Sequence, residues 1–95
     1  MAVWTHGRWI VKPGREDEFL AALGGVAAHV QAEIDAPTPT LLRDRDQPNR
    51  FLTFGRWESI EAIESFREVA LPKIAEMQDL LEGFEIFTLD EVGPE

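Results

Sequence analysis

The stretch Trp9-Ile10-Val11-Lys12-Pro13-Gly14-Arg15-Glu16-Asp17-Glu18-Phe19 changes its periodicity half-way along, and that change decides the fold class. Upstream of it, Val3 to Lys12 mixes β-branched and aromatic residues and stops at Pro13-Gly14, which reads as a strand closed by a turn. One face of this strand carries Val3, Thr5, Gly7, Trp9 and Val11, the other Trp4, His6, Arg8 and Ile10, so large apolar groups stand on both sides and both should be covered. Downstream, from Arg15 to about Asp35, Phe19, Leu23, Val26, Val30 and Ile34 recur at steps of four, three, four and four, the spacing of one helical face. Glu16, Asp17 and Glu18 favour the positive end of that helix dipole, and Pro37 and Pro39 mark the far end. Gly24-Gly25 within it predicts a kink or a close approach to the sheet, because each helical glycine costs about 1 kcal/mol relative to alanine.

Further along, Thr40 to Asp46 and Arg50 to Trp57 read as two strands of a hairpin joined by the turn formers Asp46-Gln47-Pro48-Asn49. Ser59 offers a cap to a second helix, whose stripe of Ile60, Ile63 and Phe66 is expected to break at Leu71-Pro72. A further helical segment carries Ile74, Met77, Leu80 and Leu81 and is expected to end on Gly83 as its cap, before a last strand from Phe84 to Val92. The order is β, α, β, β, α with an added helix, then β, without internal repeats or linkers, which is the ferredoxin-like split βαβ order of an α+β domain with an antiparallel sheet. Helices cover one face of such a sheet, and the apolar residues on both faces of the first strand and of Phe51 to Trp57 predict a second subunit on the other.

Composition narrows the function classes. The 95 residues make one domain over 1–95, and 44% hydrophobic residues are enough for a packed core. Nine Lys and Arg against eighteen Asp and Glu give a formal charge of −9, which repels phosphate backbones and anionic lipid, so neither nucleic acid nor membrane is an expected partner. The absence of cysteine removes disulfides, thiolate catalysis and Cys-ligated metal sites and makes the cytoplasm the default compartment. No export signal or membrane span is read. No phosphate-cradling loop, nucleophile elbow or metal-ligand spacing occurs, so no metal site is expected.

Two stretches, Trp9 to Phe19 quoted above and Arg50-Phe51-Leu52-Thr53-Phe54-Gly55-Arg56-Trp57-Glu58-Ser59-Ile60-Glu61-Ala62, resemble the antibiotic biosynthesis monooxygenase family. The likeness runs over most of the chain and implies a homodimer whose two sheets join in a shared barrel, a dimeric α+β barrel. It also implies a monooxygenase that needs no cofactor, neither metal nor flavin, acting on a hydrophobic aromatic small molecule such as a phenol or anthrone. The alternatives are a non-catalytic dimeric module that binds a small molecule or another protein, and a lyase or isomerase using the same cleft, since fold alone does not decide chemistry.

Oxygenation of this kind removes a proton from the substrate and lets the resulting carbanion reduce O2, which calls for a base, a water-excluding pocket and a donor for the developing oxyanion. His6 is the candidate base, against the alternative of a histidine at an interface or hydrogen-bonded in the core. His29, on the first helix, is expected to be exposed. Trp57 is the positioning candidate, and the resemblance points to a tryptophan at this strand end; an anchor of the second helix is the plainer reading. Trp4, Trp9, Phe51, Phe54 and Phe66 are expected to line the substrate cleft or simply to pack. Arg43 and Arg8 have the geometry to stabilise a phenolate or peroxide, or to form a charge ladder with Asp44, Arg45 and Asp46. The chain departs from the family's oxygenases in having no tyrosine and a single asparagine, Asn49, in a turn. It departs from the haem-degrading relatives in having no histidine after His29.

Overall fold

Pro13 and Gly14 turn the chain as their types require: Gly14 has φ 89°, a value that favours glycine, and the Arg15 N–H donates to the Lys12 carbonyl at 3.0 Å. The computed structural model describes residues 2–93, so residues 1, 94 and 95 of the expected 1–95 domain lie outside it. Strand β1 (Val3–Val11) leads through this turn into helix α1 (Glu16–Glu33). Strands β2 (Thr40–Arg43) and β3 (Arg50–Trp57) follow, then helix α2 (Ile60–Ala75), a 3-10 turn (Gln78–Leu80) and strand β4 (Leu81–Asp90).

The four strands form one antiparallel sheet in the order β2-β3-β1-β4, with the two helices packed on one face, an α+β ferredoxin-like fold. Register settles which residues look at the helices. Thr5 lies opposite Gly55, Gly7 opposite Thr53 and Trp9 opposite Phe51, and all six belong to the helix-covered side. The main core there gathers Trp9, Val11, Phe19, Val26, Val30 and Phe51 with Ala70, Ile74, Met77 and Leu80 of the second half. Each large member contributes about 1.5–3 kcal/mol by leaving water. A smaller cluster of Val3, Trp57 and Ile63 anchors the start of α2, which Ser59 caps by accepting from the Ala62 N–H at 3.2 Å.

Three local expectations are corrected. Helix α2 does not break at Pro72 but runs on to Ala75, because burial of Ala70 and Ile74 on either side of the proline outweighs the hydrogen bond that proline forfeits. Gly83 does not cap a helix; it pairs with Ile10 inside β4, just before a register shift at Ile10/Val11. Strand β2 ends at Arg43 rather than Asp46, since Asp44 leaves the ladder and its carboxylate accepts from the Asp46 and Gln47 N–H groups. Asn49, the single asparagine, is tied to the end of β1: its side chain donates to the Val11 carbonyl at 2.9 Å while its own carbonyl accepts from the Val11 N–H at 2.8 Å.

Candidate small-molecule site

Beneath α1 the sheet leaves a cavity of about 280 Å³. Its floor is built from β1 and β3 by Thr5, Gly7, Trp9, Thr53, Gly55 and Trp57. Leu20, Leu23, Gly24, Ala27 and Val30 of α1 form the roof, Phe66 and Ile74 of α2 a side wall, and Pro37 and Pro39 with the polar Gln31 and Thr38 the rim. Gln31 donates to the Thr38 hydroxyl at 3.3 Å. The helical glycines explain themselves in part: nothing lies within 4 Å of a side chain added at Gly24 or Gly25, so neither is required by close packing, and Gly24 borders the cavity. The expected close approach to the sheet is therefore absent at both.

The floor has an order that the reading of the strands missed. Thr5-His6-Gly7-Arg8-Trp9 and Thr53-Phe54-Gly55-Arg56-Trp57 are the same pentapeptide but for one residue, a repeat plainly visible in the sequence. Because Thr5 pairs with Gly55 and Gly7 with Thr53, the two copies are related by a local two-fold axis through the His6–Phe54 pair. Each tryptophan folds back over the glycine two residues before it and reaches the threonine on the other strand. The Trp9 indole N–H donates to the Thr53 hydroxyl at 3.0 Å, and the Trp57 N–H donates to the Thr5 hydroxyl at 3.0 Å. Glycine is needed under the Trp9 indole, and the fit is tight but less demanding under that of Trp57. A Cβ at Gly7 would stand 2.5 Å from the Thr53 hydroxyl and 2.8 Å from the Trp9 nitrogen; one at Gly55 would stand 3.2 Å from both the Thr5 hydroxyl and the Trp57 nitrogen.

The candidates chosen from sequence divide between two surfaces. Trp9, Trp57 and Phe66 line the cavity, and Phe54 also borders it although its ring stacks on His6; Trp57 is only 6% exposed and its ring is 5.0 Å from that of Phe66. Phe51 is buried behind the cavity against Phe19, ring centroids 4.9 Å apart, and Arg43 lies over the Phe51 ring at 4.8 Å; neither lines the cavity. Trp4 and His6 stand on the opposite face of the sheet. Trp4 donates its indole N–H to Glu91 at 2.8 Å. His6 stacks on Phe54 at 4.4 Å and on Phe87 at 5.8 Å, with Nδ1 3.1 Å from the Thr53 carbonyl, an arrangement in which Nδ1 carries the proton and donates. Strand parity separates these two from Trp9 and Trp57. His6 therefore does not face the cavity.

The cavity lining contains no ionisable side chain. The charges sit on the other face and at the edges: Arg8 pairs with Glu85, Arg56 with Glu91 at 3.3 Å, and Arg50 with Asp44, whose Oδ2 accepts from Arg50 Nε at 2.8 Å. The expected ladder is thus only partly of the residues named, with Asp44 bound to Arg50 rather than to Arg43. The Arg50 guanidinium, helped by the Asp46 N–H, holds the Asp44 carboxyl below the usual carboxylate range. Glu91 is held low first by the Trp4 indole N–H and then by Arg56. Among the described residues no group of three or more His, Cys, Asp or Glu is placed to hold a metal ion, and no helix is long and apolar enough to cross a membrane.

Comparison with known proteins agrees with the fold. The family model described as antibiotic biosynthesis monooxygenase matches residues 3–71. No curated protein matches the chain. Among solved structures, Rv0793 from Mycobacterium tuberculosis is similar at 20% identity and TM-score 0.80, covering 99% of this chain and 98% of its own. PA3566 from Pseudomonas aeruginosa is similar at 20% identity and TM-score 0.77, over 97% of this chain and 95% of its own. A crystal structure of an antibiotic biosynthesis monooxygenase is similar at 15% identity and TM-score 0.78, over 96% and 99%.

Proposed function

Because the chain belongs to the antibiotic biosynthesis monooxygenase family, we propose that it binds a hydrophobic aromatic compound of the phenol or anthrone class beneath α1 and promotes its oxygenation by O2 without a metal or flavin. The observation that carries this reading is the cavity itself: aromatic and aliphatic walls, two threonine hydroxyls on the floor and a rim carrying the polar Gln31 and Thr38. Such walls exclude water and strengthen any hydrogen bond made inside to an oxyanion. In the proposed reaction the substrate methylene loses a proton, the carbanion gives electrons to O2, and one oxygen atom enters the substrate while the other leaves as water.

With no ionisable group in the lining, proton removal is assigned to solvent at the Gln31–Thr38 rim rather than to His6. The walls then contribute by orienting the ring and by stabilising its anion. Trp57 is a positioning residue in this scheme, holding Thr5 and the Phe66 ring in place. The test is O2 uptake by the purified protein with a panel of anthrones and quinols. Uptake above the uncatalysed background that disappears in Leu23→Trp, where a large ring fills the cavity from its roof, supports the reading; equal uptake by the two proteins refutes it.

The same lack of a base favours a second reading, a binding module without catalysis. Tight binding of the panel with no uptake would establish it, and turnover independent of O2 would point instead to a lyase or isomerase. For the assembly we propose a homodimer through the uncovered sheet face, where Leu42, Phe87 and Leu89 are 48%, 39% and 41% exposed beside Trp4, His6 and Phe54.

A further inference from the structure

We infer that the uncovered sheet face is a pH-sensitive interface between two copies of this chain, closed while His6 is neutral and released when His6 takes up a proton. The inference rests on the homodimer proposed through that face, and it concerns only what governs the association.

A second copy is the occupant because this face is the neutral part of an acidic chain. Its ion pairs, Arg8 with Glu85 and Arg56 with Glu91, cancel, and Leu42, Phe87 and Leu89 stand exposed on it. The helical side is different: α1 carries Glu16, Asp17, Glu18 and Glu33 with no Lys or Arg, on a chain of formal charge −9. Two like copies repel through their helices and meet without that penalty through their sheets.

His6 lies near the middle of β1, an inner strand, level with Phe54 of β3 and Phe87 of β4. Neutral His6 is satisfied there, with Nδ1 donating to the Thr53 carbonyl and the ring stacked on both phenylalanines. Nε2 has no hydrogen-bond partner among the described residues and is not sealed from solvent, so in the single chain water hydrates a proton added there. Beneath a second apolar sheet the same proton takes a charge out of water. The charged groups facing His6 offer no relief. They are Arg8 on β1, Arg50 and Arg56 on β3 and Glu85 on β4, with Glu91 and Asp44 beyond the strand ends, while β2 adds only Thr40 and Leu42, which do not titrate. Each carboxylate is already held, Glu85 by Arg8, Glu91 by Arg56 and Asp44 by Arg50, and a second copy brings the same set.

A homodimer covers both copies of His6, so dissociation is coupled to the uptake of a proton by each. Histidine changes charge between about pH 5 and 8, so the dimer is complete above that range and is lost as the pH falls through it. The carboxylates act with the opposite sign: as they take up protons, repulsion between chains of charge −9 weakens and association strengthens.

The test is sedimentation of the purified protein at about pH 8 and about pH 5.5 in buffers of equal ionic strength, with circular dichroism at each. The expected result is a dimer dissociation constant roughly a hundredfold higher at the lower pH, with the helix signal unchanged. His6→Phe keeps a ring between Phe54 and Phe87 without a titrating nitrogen and should stay dimeric at both; His6→Gln serves the same purpose should the phenylalanine variant not fold. His29→Gln, altered on α1 away from this face, should keep the full pH response. Equal association at the two pH values, or tighter association at the lower, overturns the inference and leaves the homodimer in place. A monomer at both overturns the inference and the homodimer together. A response that persists without His6 belongs to other groups and overturns the inference, as does loss of the helix signal along with the dimer.

Discussion

At Gly7 one hydrogen atom separates a closed hydrogen bond from a clash. Gly7→Ala places a methyl 2.5 Å from the Thr53 hydroxyl, so the Trp9 indole must move and its N–H loses its acceptor. Overpacking of this kind costs about 1–3 kcal/mol. Denaturant unfolding should show Gly7→Ala well below the parent protein and Gly55→Ala, where the nearest contacts are 3.2 Å, closer to it. The ionised carboxylates give a second prediction. Glu91 titrates below its ordinary value of 4.5 because the Trp4 N–H and Arg56 favour the charged form, so its contribution to stability is complete at neutral pH and is lost as the pH falls from that value through the lower folded one. Glu91→Gln should therefore flatten the acid limb of a stability-against-pH curve in that window; an unchanged acid limb would exclude the role.

Among the elements, α1 shows how far a periodic pattern can be read. Phe19, Val26 and Val30 are buried as the spacing predicts, yet Leu23 from the same stripe is only partly buried, packing against that core while it borders the cavity. Periodicity specifies a face but not whether something fills the space beneath it. Gly24 and Gly25 separate structure from use. With open space beside each, alanine should stabilise the helix by about 1 kcal/mol at either position, read as a rise in unfolding midpoint. Only Gly24 borders the cavity, so only Gly24→Ala should also weaken ligand binding. The β-strands were legible in a similar way. Alternation sorted β1 into two sets, Thr5, Gly7 and Trp9 against Trp4, His6 and Arg8, but an alternation with large apolar groups in both sets does not say which set the helices cover. Assigning Trp4 and His6 to one cleft with Trp9 crossed the sheet. The pentapeptide repeat was available in the letters and carried the floor of the site; its meaning depends on antiparallel register, which pairs each glycine with the threonine of the other copy.

Over the whole molecule, the helices cover one side of the sheet and leave Leu42, Phe87 and Leu89 on the other. A homodimer formed there would bury them, and Phe87→Glu, which places a charge on that face beside His6, should shift the protein to monomer in sedimentation while leaving the cavity and its ligand affinity intact. Loss of ligand binding along with the dimer would instead couple the two faces. The antiparallel ferredoxin-like order was legible from turn signals and spacing, whereas Pro72 misled, because its intrinsic cost is overruled by the packing of Ala70 and Ile74. The division of the three tryptophans has a practical side. Trp9 and Trp57 are built into the cavity floor, each with its indole N–H on a threonine, while Trp4 is tied to Glu91 on the opposite face. The protein thus carries its own optical reporters, two for whatever enters beneath α1 and one for whatever covers the sheet from outside. With phenylalanine at position 4, the remaining ultraviolet emission would come from the floor of the cavity alone.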